Sequence, residues 1–450
     1  MVSGVQRASW SSGRRFALAA IGGAVGLGNI WKFPYVAGTN GGSAFVVVYL
    51  AAVFSVAIPI LIAELMLGRN GHASPPEAMR VNAAAARRSR HWALLGWLGV
   101  LTGFLILSFY SVIGGWVIDY LATSMAARAG VDPAAAAERF DALLASPWRM
   151  LAGHSAFAAA TAFIISRGLT EGIERATGVL MPVLFALLVV LAGYASIAGD
   201  FGSALRFMFD ADFSKIDADV GITAVGQAFF SIGVSMGLMM AYGAYLPEDV
   251  SLPRTAVAIA MADTLVALLA GFIIFPLVFA NGLAPGEGPG LIFVTLPIAF
   301  AAMPGGGLFA VLFFAALLAA ALTSSIALLE PVVAWVEEHR GITRPRAAAL
   351  LGGGVWALGI LSVLSFNTLA DFHPLAALTD RNLFDLMDYL TANIMMPVGG
   401  MLIAVFVGWF VSGESVSAAL DWRGATCTGW RWLLRTLVPV VIAVLLISGL

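Results

Sequence analysis

The chain has 450 residues, of which 60% are hydrophobic and 11% are charged, and its mean hydropathy is +0.93. Soluble domains carry about 25% charged residues, so this composition excludes an ordinary soluble protein and predicts a membrane protein with many spans. The formal net charge of −2 gives no indication of a nucleic-acid partner. The single cysteine, Cys427, excludes an intrachain disulfide and a cysteine metal cluster.

Long apolar runs, separated by charged or Pro/Gly-rich loops, predict an all-α membrane protein with eleven transmembrane helices in one domain, 1–450. The predicted spans are 14–37, 43–69, 91–124, 153–167, 172–197, 221–246, 254–280, 306–339, 345–366, 382–411 and 432–449. The loop 281–305 has an apolar centre, which predicts a re-entrant or capping hairpin rather than a twelfth span.

The distribution of basic residues predicts the orientation of the chain. If the N-terminus is cytoplasmic, 17 of the 24 basic residues lie on the inner side, as the positive-inside rule requires. No signal-peptide cleavage site follows the first apolar run, so the first helix is predicted to be retained. With eleven spans the C-terminus lies outside, and we expect a multi-pass protein of the cell (inner) membrane.

Two predicted spans are interrupted. Gly22–Pro34 reads GGAVGLGNIWKFP and contains four glycines, and Phe229–Gly237 reads FFSIGVSMG. Broken backbone at membrane depth is tolerated only where protein or a water-filled cavity covers it. Breaks at matching positions of two halves indicate a transport site at the midplane. Because each half has five helices, we predict inverted repeats over 14–197 and 221–411, with 432–449 as an additional helix.

Several polar residues inside the spans are candidates for ligand contacts. Thr323, Ser324 and Ser325 are three adjacent hydroxyls that could bind a hard cation or bond back to their own helix. Ionisable residues at the bilayer centre cost at least ~2.5 kcal/mol each, and four occur: Glu64, Asp263, Glu330 and Asp388. We expect Glu64 to hold the loose backbone amides of the broken helix, and we assign no role to Glu330.

Catalytic and transition-metal sites are disfavoured. The five histidines are isolated, with no ligand partner three or four residues away, which favours loop or interfacial positions. No G-x-S-x-G or H-E-x-x-H motif occurs. The sequence therefore predicts that the protein is not an enzyme.

Four stretches resemble segments of the neurotransmitter:sodium symporter family. They are Gly22–Pro34 with NGGSAF (Asn40–Phe45) for its first helix, GIERATGVLMP (Gly172–Pro182) for its fifth, VGQAFFSIGVSMG (Val225–Gly237) for its sixth and LTSSIALLEP (Leu322–Pro331) for its eighth. The resemblance covers nearly the whole chain, and the length is similar to that of bacterial members that carry hydrophobic amino acids. It implies the leucine-transporter-like fold, a 5+5 inverted repeat with helices 1 and 6 broken.

The resemblance also implies two sodium sites. The first would use Ala24, Asn29, Ser231 and Asp263, together with the substrate carboxylate. The second would use the carbonyls of Gly22, Val25 and Ala320 and the hydroxyls of Thr323 and Ser324. Many members carry a neutral asparagine at the position of Asp263, so its carboxylate could supply the charge that chloride supplies elsewhere. We therefore expect no chloride requirement, and Asp263 could also take up a proton on the empty return step.

The substrate pocket follows by the same matching. Its expected lining is Ala24, Leu27, Gly28, Ile106, Tyr110, Phe230, Ser231, Gly233, Met236, Ser324 and Leu328. Amides near Leu27 and Gly28, with the Tyr110 hydroxyl, would face a carboxylate, and carbonyls of the two breaks would face an ammonium. Gly26 occupies the position where amine-carrying relatives place an aspartate, which favours an amino acid as the substrate. The lining is uncharged, Gly233 leaves room, and Met236 is adaptable, so we expect neutral hydrophobic side chains.

Two gates are implied. Lys32 with Asp388 would close the outer side above Tyr110 and Phe230. The inner gate would consist of Arg7, Glu338, Trp10 and Tyr245. Because Lys32 replaces the more usual arginine, it lacks the bidentate fork, which predicts a weaker outer gate.

These features predict sodium-coupled uptake of neutral hydrophobic L-amino acids by alternating access, in a lipid bilayer and without a nucleic-acid partner. A proton-coupled amino-acid permease of the same architecture stays open, since it would not need the hydroxyls of Thr323 and Ser324. A non-transporting amino-acid sensor is a second alternative, and it would be expected to carry an extra soluble domain.

Overall fold

The computed structural model describes residues 9–126, 133–210, 212–284, 288–376 and 379–449, and every regular element within these ranges is a helix. The first ten helices are α1 Gly13–Ala24, α2 Gly28–Thr39, α3 Ser43–Gly71, α4 Pro75–Ala85, α5 Ala93–Ala126, α6 Pro133–Leu144, α7 Pro147–Ser166, α8 Leu169–Ala198, α9 Phe201–Phe209 and α10 Ala218–Ile232. The numbered helices continue with α11 Leu238–Gly243, α12 Leu252–Ala280, α13 Leu291–Ala301, α14 Gly306–Arg340, α15 Arg344–Leu364, α16 Leu383–Phe410, α17 Gly413–Leu420, α18 Ala425–Arg435 and α19 Leu437–Gly449. Two short 3₁₀ helices, Arg90–Trp92 and Phe213–Lys215, precede α5 and α10 and are not numbered.

Most of the predicted spans have a helical counterpart. In the described ranges, eight continuous helical stretches are long and apolar enough to cross a membrane. The broken pair α1 and α2, bent by 50° at its break, can form a ninth. The helix α7 and the short pair α10 and α11 fall outside this set. Two boundaries differ from the prediction, since α7 begins at Pro147 instead of 153 and the last span begins at Ala425 instead of 432.

The long connections contain helices that hydropathy did not reveal. The connection 125–152 contains α6, and 198–220 contains α9, whose N-terminus is capped by the Asp200 carboxylate accepting from the Ser203 amide at 3.0 Å. The apolar centre of 281–305 is the short helix α13. Amphipathic or capping helices of this length lack the apolar run on which span prediction depends.

The helices that carry the polar candidates lie at the centre of the molecule. The apolar window of α14 is 72% buried inside the protein and that of α3 is 67% buried, whereas α8 reaches only 28% and the last span only 22%. The exposed apolar side chains of α8 and the last span therefore suit contact with lipid. Thr323, Ser324 and Asp263 are buried from every side by protein.

The helices α5 and α7 touch through their backbones. A Cβ added at Gly115 would lie 2.5 Å from the His154 amide nitrogen, and one added at Gly153 would lie 2.7 Å from the Gly115 carbonyl oxygen. Glycine at both positions permits this approach. His154 is buried there, with Nδ1 3.0 Å from the Ser111 hydroxyl and Nε2 3.0 Å from the Trp356 carbonyl. The prediction of a loop or interfacial position is therefore wrong for His154.

We predict that Gly115→Ala destabilises the protein by about 1–3 kcal/mol, because the added methyl group has no space between the two backbones. The measurement is thermal unfolding of the purified protein in detergent. Gly353→Ala is the matched control, since a Cβ there meets nothing within 4 Å on the exposed face of α15. Equal transition temperatures for the two variants would contradict the packing argument.

Candidate functional site

The break between α1 and α2 is held by side chains from elsewhere in the molecule. Val25 is extended and ends α1. The Gly26 amide donates to Asn29 Oδ1 at 3.0 Å, and the Leu27 amide donates to the Tyr110 hydroxyl at 3.2 Å. These bonds satisfy amides that a helix start leaves without a backbone partner.

The break between α10 and α11 has left-handed backbone at three positions. Gly233 (φ +72°) ends α10, Ser235 has φ +69° and Gly237 (φ +75°) precedes α11. The Ser235 amide donates to Glu64 Oε1 at 3.1 Å, and Glu64 is fully buried. The carboxylate of Glu64 thus accepts from a loose amide that belongs to the second break.

A first polar cluster joins α2, α10 and α12. The amide nitrogen Nδ2 of Asn29 donates to Asp263 Oδ1 at 2.7 Å and to Ser231 Oγ at 2.8 Å. Ser231 Oγ in turn donates to Asp263 Oδ2 at 2.6 Å. The Tyr49 hydroxyl lies 3.3 Å from Ser231 Oγ. All four side chains are buried.

Among the described residues, no basic side chain compensates the charge of this cluster. The partners of Asp263 are a neutral amide and neutral hydroxyls, and no described lysine or arginine lies within 4.0 Å of its carboxylate. A buried carboxylate without a counter-charge is very unfavourable. The cluster is therefore suited to a small cation or a proton.

A second oxygen cluster lies between α1 and α14. Ser324 Oγ lies 2.8 Å from the Val25 carbonyl oxygen and 3.3 Å from that of Gly22, and donates toward both. Thr323 Oγ1 lies 3.0 Å from the Ala320 carbonyl oxygen. A Cβ added at Gly22 would lie 3.0 Å from Thr323 Cβ, so glycine lets the two helices approach. Carbonyl and hydroxyl oxygens are the ligands that hard cations prefer.

A small cavity lies between the two breaks. Its lining is Gly23, Ala24, Gly26, Leu27, Gly28, Ile106, Tyr110, Phe230, Gly233, Met236, Leu238, Ser324 and Leu328. Every predicted pocket residue except Ser231 is included. Three lining residues, Gly23, Gly26 and Leu238, are absent from the predicted set. Leu238 restarts helical structure directly after Gly237 and could have been identified from that position. The volume is about 30 Å³, which is room for about one water molecule. An amino-acid side chain can enter only if side chains such as Phe230 and Met236 move.

At two glycines of the cavity a side chain is disfavoured, by a steric clash at Gly26 and by the backbone conformation at Gly233. A Cβ at Gly26 would lie 2.5 Å from Ser324 Oγ and 2.9 Å from the Tyr110 hydroxyl. At Gly233 the left-handed backbone disfavours any side chain, and a Cβ would lie 3.3 Å from Leu238 Cδ2. The sequence explained Gly233 by room alone, and the helix end gives a second reason for glycine there.

The predicted outer gate is not joined in this structure. Lys32 Nζ lies 4.3 Å from the centre of the Phe230 ring, and the ion pairs of the described residues do not include Lys32 with Asp388. A cavity of about 190 Å³ opens above Phe230, lined in part by Lys32, Gln227 and Asn393. The Lys32 ammonium group therefore lies over the Phe230 ring, which covers the pocket.

The predicted inner gate is partly assembled. Trp10 is buried, its Nε1 donates to the Tyr242 carbonyl at 3.0 Å, and its amide donates to the Tyr245 carbonyl at 3.3 Å. The Glu338 carboxylate accepts from the Ser74 amide at 2.9 Å and from the Ser74 hydroxyl at 2.5 Å, at the start of α4. Arg7 lies outside the described residues, so its pairing with Glu338 stays a prediction.

A buried ion pair near the inner gate was missed by sequence analysis. Arg344 forms an ion pair with Glu330, which is completely buried, and the Tyr245 hydroxyl donates to Glu330 Oε1 at 3.0 Å. Arg344 also lies 3.2 Å from Glu337 and donates from Nε to the Ile165 carbonyl at 2.9 Å. The short turn at Gly341 reverses the chain, so that Arg344, the first residue of α15, reaches α14. In the sequence, this turn was the signal from which the ion pair could have been predicted.

We predict that Arg344→Gln destabilises the protein by about 3–5 kcal/mol, because it leaves the Glu330 charge buried without a partner. Thermal unfolding in detergent measures the effect, and Arg346→Gln, an exposed position on the same helix, is the control. Adding Glu330→Gln should recover part of the loss, since the charge is then removed. A double variant as unstable as the sum of the single variants would contradict the pairing.

Comparisons of sequence and structure identify known proteins that are similar to this chain. The sequence profile of the sodium:neurotransmitter symporter family matches residues 7–132 and 148–450. An uncharacterized sodium-dependent transporter of Bacillus subtilis is 35% identical over 446 residues, covering 98% of this chain and 97% of that protein. One of Haemophilus influenzae is 31% identical and covers 99% and 98%. The crystal structure of MhsT in complex with L-phenylalanine aligns with a TM-score of 0.91 at 39% identity, covering 99% of this chain and 100% of that chain.

Proposed function

Because the chain belongs to the sodium:neurotransmitter symporter family, we propose that it is a sodium-coupled symporter that takes up neutral hydrophobic L-amino acids, aliphatic and aromatic, by alternating access. The observation that carries this proposal is the Asp263 carboxylate, buried among neutral partners with no described basic residue in ion-pair distance. A bound sodium ion would supply the missing positive charge.

The first sodium site uses the Asp263 carboxylate, the Ser231 hydroxyl, the Ala24 carbonyl and the Asn29 amide oxygen. Asn29 Oδ1 accepts from the Gly26 amide, and its nitrogen faces Asp263. Coordination by Asn29 therefore requires its amide group to rotate, which would free the Gly26 amide beside the pocket. The substrate carboxylate completes the coordination and couples the ion to the amino acid.

The second sodium site uses the oxygens grouped around Ser324. The carbonyls of Gly22 and Val25 already converge on its hydroxyl, and the Ala320 carbonyl and Thr323 hydroxyl lie on the adjoining face of α14. A sodium ion bound there would bridge α1 and α14. Binding would thus stabilise one arrangement of the broken helix relative to the rest of the protein.

The substrate is inferred from the chemistry of the cavity. The Tyr110 hydroxyl accepts from the Leu27 amide and keeps its own O–H to donate to a carboxylate, and the rest of the lining is uncharged. No aspartate fits at Gly26 to pair a free amine. The L-phenylalanine complex of MhsT, which is 39% identical to this chain, supports a hydrophobic amino acid.

The architecture we propose is the eleven-helix, 5+5 inverted repeat. The repeats are 14–197 and 221–411, with α1/α2 and α10/α11 as their broken first helices and 432–449 as the additional helix. The N-terminus lies in the cytoplasm and the C-terminus lies outside, as the positive-inside bias favours. Lys32 with Asp388 and Arg7 with Glu338, supported by Trp10 and Tyr245, would close the outer and inner sides in turn.

Proton coupling is the second candidate, because a proton would also neutralise Asp263. The two candidates differ at Ser324, since a proton-coupled permease would not need an oxygen cluster between α1 and α14.

Two sodium ions driven by about 100 mV and a tenfold gradient would supply ~7 kcal/mol, enough to concentrate a net-neutral substrate about 10⁵-fold.

We predict sodium-dependent uptake of phenylalanine or leucine by the purified protein in liposomes. Ser324→Ala should raise the sodium concentration needed for half-maximal uptake about tenfold, because one cation ligand is lost. Ser325→Ala is the matched control, since that hydroxyl bonds Thr161 at 2.8 Å and lies outside the cluster. Equal uptake from sodium and potassium buffers would reject the proposal, and uptake driven by a pH gradient alone would favour proton coupling.

We predict that wild-type uptake is independent of chloride and that Asp263→Asn makes it weaker and chloride-sensitive, because the variant removes the fixed negative charge beside the first sodium site. The measurement is uptake with chloride or gluconate as the anion. An Asp263→Asn variant with wild-type rate and no response to chloride would refute charge compensation.

A further inference from the structure

A basic turn connects α4 to α5. Arg87, Arg88 and Arg90 lie within four consecutive positions, and all three are exposed. None of the three guanidinium groups forms an ion pair with a carboxylate among the described residues. In the orientation proposed above, this turn lies at the cytoplasmic surface directly beside a membrane span.

A large polar cleft opens on one side of this turn. It has a volume of about 770 Å³ and is lined by Arg69, Arg87 and His72, by one acid, Glu248, and by the hydroxyls of Ser412 and Ser415 among others. The Arg69 guanidinium donates to the Val250 carbonyl at 2.8 Å and to the Ala419 carbonyl, so it fixes the walls of the cleft. With Arg88 against Phe410 at its edge, the cleft is positively charged overall and suits an anion.

An apolar groove of about 450 Å³ opens on the other side of the turn. Ser89, His91 and Trp92 lie at its polar end, and its apolar part consists of Leu94, Leu95, Leu98 and Leu402. Leu94 is 66% exposed, as a lipid-facing side chain would be. The groove has the shape and polarity that suit a hydrocarbon chain.

A shared aromatic wall joins the cleft and the groove. Trp92, which lines the groove, packs on Phe406 and Phe410 with ring centres 4.9 and 5.6 Å apart. Phe410 lines the cleft, and the Arg88 guanidinium lies 4.5 Å above its ring. The charged cleft and the apolar groove are thus separated by the contacting rings of Trp92 and Phe410.

We propose that the turn Arg87–Arg90, the cleft and the groove bind one anionic phospholipid of the cytoplasmic leaflet. The phosphate lies among the arginines and one acyl chain lies in the groove. Basic pockets beside cytoplasmic helix ends attract anionic headgroups, and the adjoining groove favours a lipid over a soluble phosphate. The inference does not depend on the transport function, because it requires only membrane insertion in the proposed orientation.

The test is native mass spectrometry of the full-length protein in detergent with added phosphatidylglycerol or phosphatidylcholine. We expect preferential retention of phosphatidylglycerol. The triple variant Arg87→Gln, Arg88→Gln, Arg90→Gln should weaken it by roughly fivefold for each arginine removed. The matched control removes three exposed arginines elsewhere: Arg340→Gln, Arg346→Gln, Arg423→Gln. Leu98→Trp, which fills the groove, should weaken retention of the diacyl lipid without changing the charge.

Three outcomes would overturn the proposal. Equal loss in the two triple variants would show a general charge effect. Competition by inorganic phosphate at the same concentration as phosphatidylglycerol would show a soluble-anion site. Unchanged retention in Leu98→Trp would remove the groove from the site. A triple Arg→Lys variant controls for folding and topology, and it should retain phosphatidylglycerol better than the glutamine variant.

Discussion

The structure depends on one constraint, which is that every backbone group freed by a helix break inside the membrane must find a new partner. At the first break these partners are Asn29, Tyr110 and Ser324, and at the second break the partner is Glu64. They come from several helices, so each break ties its part of the chain to the rest of the bundle. Two of these groups, Tyr110 and Ser324, also line the central cavity, so the contacts that hold the first break are part of the site.

The two buried acids of α12 and α14, Asp263 and Glu330, show how two carboxyl groups can have different environments. Glu330 is matched by Arg344 and by the Tyr245 hydroxyl, so its charge is satisfied within the protein. In the part of the chain that the structure describes, the hydrogen-bond partners of the Asp263 carboxylate are neutral. The first arrangement fixes the packing of α14 against α15 at the inner side. The second leaves a buried position that a cation can complete, and the sodium-site proposal rests on this difference between the two acids.

Much of the site could be predicted from the sequence because it lies in contiguous motifs. The glycines of Gly22–Pro34 indicate the break directly, and the family resemblance places Asn29, Ser231 and Asp263 together although they are far apart in the chain. Other features depend on tertiary packing that has no local signature. The burial of His154 follows from a glycine contact with another helix, and the pairing of Glu330 with Arg344 follows from a turn. The helices α6 and α9 were missed because they lack a long apolar run.

The small central cavity and the Lys32 side chain are connected through the Phe230 ring. Phe230 lines the cavity from above, and its ring carries the Lys32 ammonium at 4.3 Å. A side chain larger than the space of about 30 Å³ must displace that ring, and displacement removes the cation–π contact from Lys32. The ammonium is then free to find another partner, and Asp388 is the carboxylate that the gate prediction assigns to it. A compact point charge on a flexible stem is suited to exchange partners in this way, whereas the planar fork of arginine holds one carboxylate more firmly. If the proposed gate forms, lysine at this position would link the volume of a bound substrate to the closure of the outer side.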